Sequence, residues 1–121
     1  EALTMSHDPN CIFCKIAAGE IPSRKVYEDE DVIAFHDIRP AAPVHLLIVP
    51  REHVPTLADA NAAHQALLGK MLLLAPKLAQ EHGATNGFRV VVNNGPDGGQ
   101  EVYHLHVHVL GGPRPWKGMA I

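Results

Sequence analysis

Three histidines alternate with apolar residues in Val102-Tyr103-His104-Leu105-His106-Val107-His108-Val109-Leu110. Side chains of an extended strand point to opposite faces in turn, so His104, His106 and His108 share one face and Tyr103, Leu105, Val107 and Val109 the other. Successive imidazoles on that face stand roughly 6.5–7 Å apart, close enough for two to act on one small group. One strand histidine is ordinary surface, and His-x-His also holds metals. Three in register point to nucleophilic or acid–base work on a shared substrate atom.

The loop ahead of them, Asn93-Asn94-Gly95-Pro96-Asp97-Gly98-Gly99-Gln100-Glu101, adds the second half of that chemistry. Loops of this composition are by default turns. Its glycines also allow close backbone approach and turn successive N–H groups toward one point, which holds phosphate without lysine. Joined to the histidines, it describes a site where amides hold a phosphoryl group and an imidazole attacks phosphorus. Cys11 and Cys14 form a further cluster. Two cysteines at this spacing are half of a tetrahedral zinc set, or two small buried hydrophobes one helical turn apart.

Bulk properties narrow the class. The chain has 121 residues, 46% hydrophobic and 19% charged, with formal net charge −3. That composition suits one globular domain with a real core and argues against nucleic-acid binding, which needs clustered Lys and Arg. No apolar run reaches the roughly 18 residues of a bilayer span, and no basic-plus-apolar leader opens the chain. Cys11 and Cys14 are too close to staple distant segments by a disulfide, so a reducing, cytoplasmic location is expected. Residues 1–4 precede Met5 and are read as a non-native extension within an N-terminal tail, 1–10, ahead of a single domain, 11–121.

The elements that must position these groups read as α+β. Cys11 to Ala18 predicts a short helix stopped by Gly19. Arg24 to Tyr27 and Val32 to Phe35 flank the acidic turn Glu28 to Asp31 as a hairpin. Pro40 to Pro43 is a rigid loop, and His45 to Val49 a buried strand ended by Pro50. A long helix is expected from about Asn61 to His82, capped by Asp59 or Asn61 and closed by Gly83. Ala63, Leu67, Met71, Leu74 and Leu78 would form its core stripe, with a kink at Pro76. Gly87 to Val92 precedes the loop and the histidine strand. Five strands and two helices without βαβ alternation predict an antiparallel sheet with the helices on one face.

With these residues in view, the sequence resembles the histidine-triad superfamily, whose signature His-x-His-x-His followed by apolar residues stands here at 104–110. The resemblance also takes in Cys-Ile-Phe-Cys-Lys-Ile at 11–16, Phe-His-Asp-Ile at 35–38, His45 before a strand ending in Pro50, Asn93, and Gly99-Gln100. Leu110-Gly111-Gly112 followed by Trp116 is similar to the short tail of the Hint branch, the purine nucleoside phosphoramidases. The resemblance implies a HIT-like fold: a five-stranded antiparallel sheet with one long and one short helix, dimerising into a ten-stranded sheet. It further implies hydrolysis of an AMP–amine P–N bond through a nucleotidyl–histidine intermediate. The alternatives are a dinucleoside polyphosphate hydrolase, or a non-catalytic nucleotide-binding or zinc-organised interaction protein.

Carried over residue by residue, His106 matches the nucleophile, with Nδ1–H held by a carbonyl so that Nε2 presents a lone pair. His108 matches the group that contacts phosphate oxygens or protonates the leaving group. His104 and His45 complete the catalytic set, His45 as the residue that orients the triad. Asp37 resembles the carboxylate that accepts the ribose hydroxyls, although an Asp after a strand is by default a turn former. Ile12, Phe13, Ile16, Phe35, His36, Ile38 and Leu47 would shape the purine slot, the apolar ones serving equally well as core. Asn93, Gly99, Gln100, Glu101, His106 and His108 would surround the phosphate. Many family members have serine where Glu101 stands, so its carboxylate is expected to point away. Some microbial members complete a structural zinc with a histidine after the strand-ending proline and the first triad histidine, here His53 and His104 beside Cys11 and Cys14. Catalysis itself is expected to need no cofactor. The expected partners are an AMP-like purine nucleotide and a second copy of the chain, with neither nucleic acid nor membrane. The tail through Trp116 would reach across the dimer to shape the amine side.

Overall fold

Strands Val32–His36 and Val44–Pro50 are buried almost end to end, with no polar residue alternating out to solvent. Such strands need cover on both faces, and the chain provides it. The computed structural model describes residues 6–117, so the extension read at 1–4 and the tail residues 118–121 lie outside the described residues. The elements are helix α1 (Ile12–Ala17), strands β1 (Lys25–Glu28), β2 (Val32–His36) and β3 (Val44–Pro50), helix α2 (Gln65–Glu81), and strands β4 (Phe88–Val91) and β5 (Val107–Gly111). They form one antiparallel sheet ordered β1-β2-β3-β5-β4, with β5 inserted between β3 and β4.

Period two then divides the core. Val32, Ala34, Leu46, Ile48, Val107 and Val109 meet Met71, Leu74, Ala75, Leu78 and Ala79 of α2. Ile33, Phe35, Leu47 and Val49 meet Cys11, Phe13, Cys14 and Ile16 of the α1 segment on the opposite face. The two helices therefore sandwich the sheet, instead of sharing one face as the sequence reading expected. Continuous apolar strands such as Leu46 to Val49 are the physical reason.

Helix α2 also starts later than expected. Asn61 caps a separate 3-10 turn, Ala62–His64, by accepting a hydrogen bond from the Ala63 amide at 2.8 Å, and the α-helix proper begins at Gln65. Ala63 is accordingly exposed, and the inward stripe begins with half-buried Leu67. The helix continues unbroken through Pro76. Both Pro76 and Leu72 lie on its exposed side, where solvent can satisfy the carbonyl that proline leaves without a donor. At the other end, Gly83 adopts φ +96, while its N–H donates to the Gln80 carbonyl and the Ala84 N–H to the Ala79 carbonyl. This left-handed closure was read correctly from the glycine.

The histidine segment departs from a continuous strand. Strand β5 begins only at Val107, paired with Ile48 of β3, so His104 and His106 precede the ladder. Upstream the chain bonds elsewhere: the Leu105 N–H donates to the Val54 carbonyl at 2.7 Å. Facing nevertheless holds, because His106 and His108 remain on the α1 side while Val107 and Val109 remain in the α2 core.

The β1–β2 turn is tied to α2 through Lys70, which binds Asp31 at 3.0 Å as well as Asp29. Asp29 accepts from the Asp31 and Val32 amides at 2.8 and 2.9 Å, from the Tyr27 hydroxyl at 2.6 Å and from the Lys70 ammonium at 2.7 Å. Burial alone would raise its pKa; the Lys70, Tyr27 and amide bonds outweigh burial and hold it well below the usual carboxylate range. Because the folded value is depressed, the stabilisation is complete above the unfolded value of about 4 and is lost as pH falls below it toward the folded value. Asp29→Ala should therefore lower stability by about 2 kcal/mol at pH 7. In denaturant titrations the gap from wild type should narrow on acidification below about pH 4.

Candidate active site

Burial fixes the protonation of the histidine face before any ligand is considered. His106 and His108 are buried on the α1 side with ring centroids 5.0 Å apart, and Phe13 presents its ring edge-on to His106 at 5.1 Å. Burial lowers the pKa of His106, with its carbonyl hydrogen bond and Asp37 opposing only in part. It pushes His108 down to about 4, aided by His106 and His45. Both rings are neutral at pH 7, each with one N–H and one lone pair.

Hydrogen bonds decide which nitrogen holds each proton. His106 Nδ1–H donates to the His104 carbonyl at 2.7 Å, leaving a lone pair on Nε2. His45 Nδ1 lies 2.9 Å from the Ala41 N–H, and His45 Nε2 lies 2.9 Å from His108 Nδ1. Among the described residues neither His106 Nε2 nor His108 Nε2 has a hydrogen-bond partner. Asp37 sits at the rim: Oδ1 accepts from the Arg39 amide at 2.8 Å and Oδ2 lies 3.4 Å from His45 Nε2.

The other residues singled out from sequence sort by position. Phe13, Ile16, Phe35 and Leu47 are buried in the α1-side core, whereas Ile12 is 47% and Ile38 92% exposed. The two exposed isoleucines face solvent, and the four buried residues pack the core on that side. His36 does not join them. It lies on the α2 side, its ring 5.5 Å from that of His82. Parity is the reason, since residues 32, 34 and 36 of β2 face α2.

The glycine-rich loop corrects the expectation of a phosphate nest. The Gly98 and Gln100 amides both donate to the Gly95 carbonyl and the Gly99 amide to the Pro96 carbonyl, so these amides close a turn. Close packing explains Gly98: a Cβ there would lie 2.3 Å from the Asn94 carbonyl oxygen. Buried Gln100 latches the loop, its Oε1 accepting from the Gly95 amide at 2.9 Å and its Nε2 donating to the Pro55 and Val102 carbonyls at 2.7 and 2.9 Å. Neither its side chain nor its amide is left for a ligand. The next amides, of Glu101 and Val102, find no acceptor among the described residues. Glu101 is exposed and Asn93 half-buried.

His104 turns away from the shared face. Its Nδ1 lies 3.2 Å from Cys11 Sγ, 3.4 Å from Cys14 Sγ and 3.3 Å from His53 Nδ1, and Cys14 Sγ lies 3.3 Å from His53 Nδ1. Edges of a tetrahedral S₂N₂ zinc shell are about 3.3–3.8 Å, so the donors are spaced for one ion. His104 Nε2–H donates to the Pro50 carbonyl at 2.7 Å, which puts the lone pair on Nδ1 as ligation requires. Asp37, His45 and His108 also bring their donors within 4.8 Å of one another. There the Ala41 N–H occupies His45 Nδ1 and keeps the proton on Nε2, so that group is built for hydrogen bonding.

The sequence reading missed several groups. Trp116 is flanked by the Arg89 and Arg114 guanidiniums at 5.4 and 4.8 Å from its ring, beside a cavity of about 640 Å³ at the Phe88 end of β4. Of these only Trp116 had been noted. Arg51 binds Glu28 and the Asp29 and Ala17 carbonyls. The carbonyls of His104 and Pro50 and the amide of Ala41 are backbone groups, which leave no signal in residue type.

A family model described as the HIT domain matches residues 18–114. The chain is 50% identical over 102 residues to the purine nucleoside phosphoramidase of Escherichia coli (strain K12), covering 84% of this chain and 86% of that protein. A HIT family hydrolase from Legionella pneumophila Philadelphia 1 superposes with TM-score 0.84 at 53% identity, covering 87% of this chain and 95% of the other. A zinc-bound histidine triad family protein from Mycobacterium smegmatis superposes with TM-score 0.75 at 32% identity, covering 84% and 74%. With the HIT domain model spanning residues 18–114 and half of the aligned residues shared with the E. coli relative, the chain belongs to the HIT domain family.

Proposed function

We propose that the protein hydrolyses purine nucleoside 5′-phosphoramidates, releasing a nucleoside monophosphate and an amine. One observation carries the reading: adjacent neutral rings present a lone pair on His106 Nε2 and, through the His45 hydrogen bond, an N–H on His108 Nε2. The His106 lone pair forms a bond to the α-phosphorus while the P–N bond breaks, its electron pair leaving on the amine nitrogen. The His108 Nε2–H donates a hydrogen bond to the phosphoryl oxygen on which charge develops, and the leaving nitrogen takes its proton from solvent. Water then attacks the phosphorus, breaks the bond to His106, whose ring takes back the electron pair, and releases its own proton to solvent. Asp37 and Ile38 meet the nucleoside and the Glu101 and Val102 amides the phosphate. The E. coli relative named a purine nucleoside phosphoramidase supports this substrate class.

The Cys11, Cys14, His53 and His104 donors fit a structural zinc, which would crosslink the α1 segment, the turn after β3 and the histidine segment. The zinc-bound mycobacterial relative supports the same reading. The ion takes no part in bond breaking. A second copy of the chain would extend the sheet to ten strands across edge strand β4, where Phe88 and Val90 are exposed at 41% and 38% beside Leu72 and Leu73 of α2 at 53% and 77%. In that dimer the Trp116 tail would face the partner's amine side. The two free thiols suit a reducing compartment such as the cytoplasm.

Replacement of the nucleophile gives the direct test. His106→Asn should abolish turnover while nucleotide affinity stays within about threefold, since the groups that hold the nucleotide remain. Acid quench of the wild type during turnover should yield a nucleotidylated chain by mass spectrometry; a mutant with substantial turnover would exclude the mechanism.

Metal analysis of purified protein should find one zinc per chain, and chelation should lower the melting temperature, because binding free energy contributes to folding. Metal-free protein with an unchanged melt would leave Cys11 and Cys14 as packed hydrophobes.

Leaving-group preference separates this enzyme from a dinucleoside polyphosphate hydrolase. Extra phosphates need cations, and Arg51 is already engaged with Glu28 and two carbonyls. The kcat/KM for an adenosine phosphoramidate should exceed that for diadenosine tri- or tetraphosphate by at least about a hundredfold, roughly 2.7 kcal/mol. Equal values would move the assignment to the polyphosphate.

A further inference from the structure

The proposed chemistry needs opposite tautomers on two neighbouring rings: a bare Nε2 on His106 and a protonated Nε2 on His108. The first is set by a carbonyl. The second has no acceptor of its own, since His108 Nδ1 meets only another imidazole, His45 Nε2, at 2.9 Å. Two imidazole nitrogens facing each other satisfy either direction of hydrogen bond, so something outside the pair must decide it.

We infer that the backbone amide of Ala41 is that device: a tautomer clamp that acts through His45 to keep the proton of His108 on Nε2. The inference rests on the reading of His108 as the donor to the reacting group. An amide N–H can only donate, and at 2.9 Å it obliges His45 Nδ1 to accept. Neutral His45 then carries its proton on Nε2 and donates to His108 Nδ1. Neutral His108 is left with its proton on Nε2, the nitrogen without a protein partner among the described residues. The reverse arrangement would place the His45 Nδ1–H against the Ala41 N–H, two donors face to face. Asp37 Oδ2, 3.4 Å from His45 Nε2, favours the same tautomer because it too can only accept there.

The surroundings suit a fixed donor. Ala41 lies between Pro40 and Pro43, whose rings restrict the backbone of the loop, and Ala42 is buried. His45 is 4% exposed, so water does not compete freely for its nitrogens. Ala41 and His45 are positioning residues here: neither supplies the proton or the nucleophile, and any side chain at 41 would serve as long as its N–H is present.

The test combines ring-nitrogen NMR with a one-atom backbone change. In wild type, 15N–1H correlation spectra should show His45 and His108 with the proton on Nε2 and His106 with it on Nδ1. A His108 proton on Nδ1 overturns the inference without recourse to any variant. Replacing Ala41 with its α-hydroxy acid turns the amide into an ester and removes only the N–H. His108 should then populate the Nδ1–H form, and kcat should fall about tenfold or more with KM within about threefold. Ala41→Gly retains the N–H and should keep the wild-type His45 and His108 tautomers in the spectrum. An ester variant with unchanged His108 tautomer overturns the clamp. If phosphoramidates are not turned over at all, the functional reading fails while the spectra still decide the clamp.

Discussion

A neutral imidazole has two nitrogens and one proton, and burial on the α1 face keeps His45, His104, His106 and His108 neutral. Each ring must therefore be told by a neighbour which nitrogen is bare, and the answer decides whether it attacks, donates or ligates. The fold supplies three such instructions from the main chain: the Pro50 carbonyl to His104, the His104 carbonyl to His106, and the Ala41 amide to His45. His108 receives its own at second hand, from His45. Side chains with freedom to rotate could not give instructions of this kind as dependably, because a main-chain group in a fixed loop has no alternative rotamer.

That arrangement depends on a sheet buried from both sides. Helix α2 closes one face through an apolar cluster, and the α1 segment closes the other with a mixed one in which Phe13 touches both core and histidines. Low polarity on both sides keeps water from the ring nitrogens and lowers their basicity. The polar contacts of the rim are engaged structurally. Gln100 latches the loop onto Pro55, Asn94 Oδ1 accepts from the Leu57 amide at 2.7 Å, and Arg51 joins α1, the β1–β2 turn and β3.

Most of the fold was legible because burial follows period. Alternation identified the faces of β5 even though its first histidines leave the ladder, and Gly83 marked the end of α2 through its left-handed geometry. Sequence reasoning erred where one residue type serves two physical ends. The glycines of the phosphate loop satisfy a tight turn, as at Gly98, and the turn consumes the amides that composition had promised to a ligand. His36 follows Phe35 in sequence but strand parity sends it to the far face. Two apolar helical segments looked like one layer because composition does not say which side of a doubly buried strand each covers. Ala41 was out of reach altogether, for its contribution is common to nineteen of the amino acids and absent only from proline.

His104 holds two offices in one residue: its ring belongs to the Cys/His cluster, while its carbonyl orients His106. The second is independent of side-chain identity. The cluster is thus a separable module. A redesigned chain could exchange the four donors for a packed apolar plug, or for donors suited to another ion, and still present the same carbonyl to the nucleophile, provided the main chain between Pro50 and Val107 kept its path. Mutational scans that truncate His104 and lose turnover would in that light be measuring a collapse of scaffold, with the chemical step itself untouched.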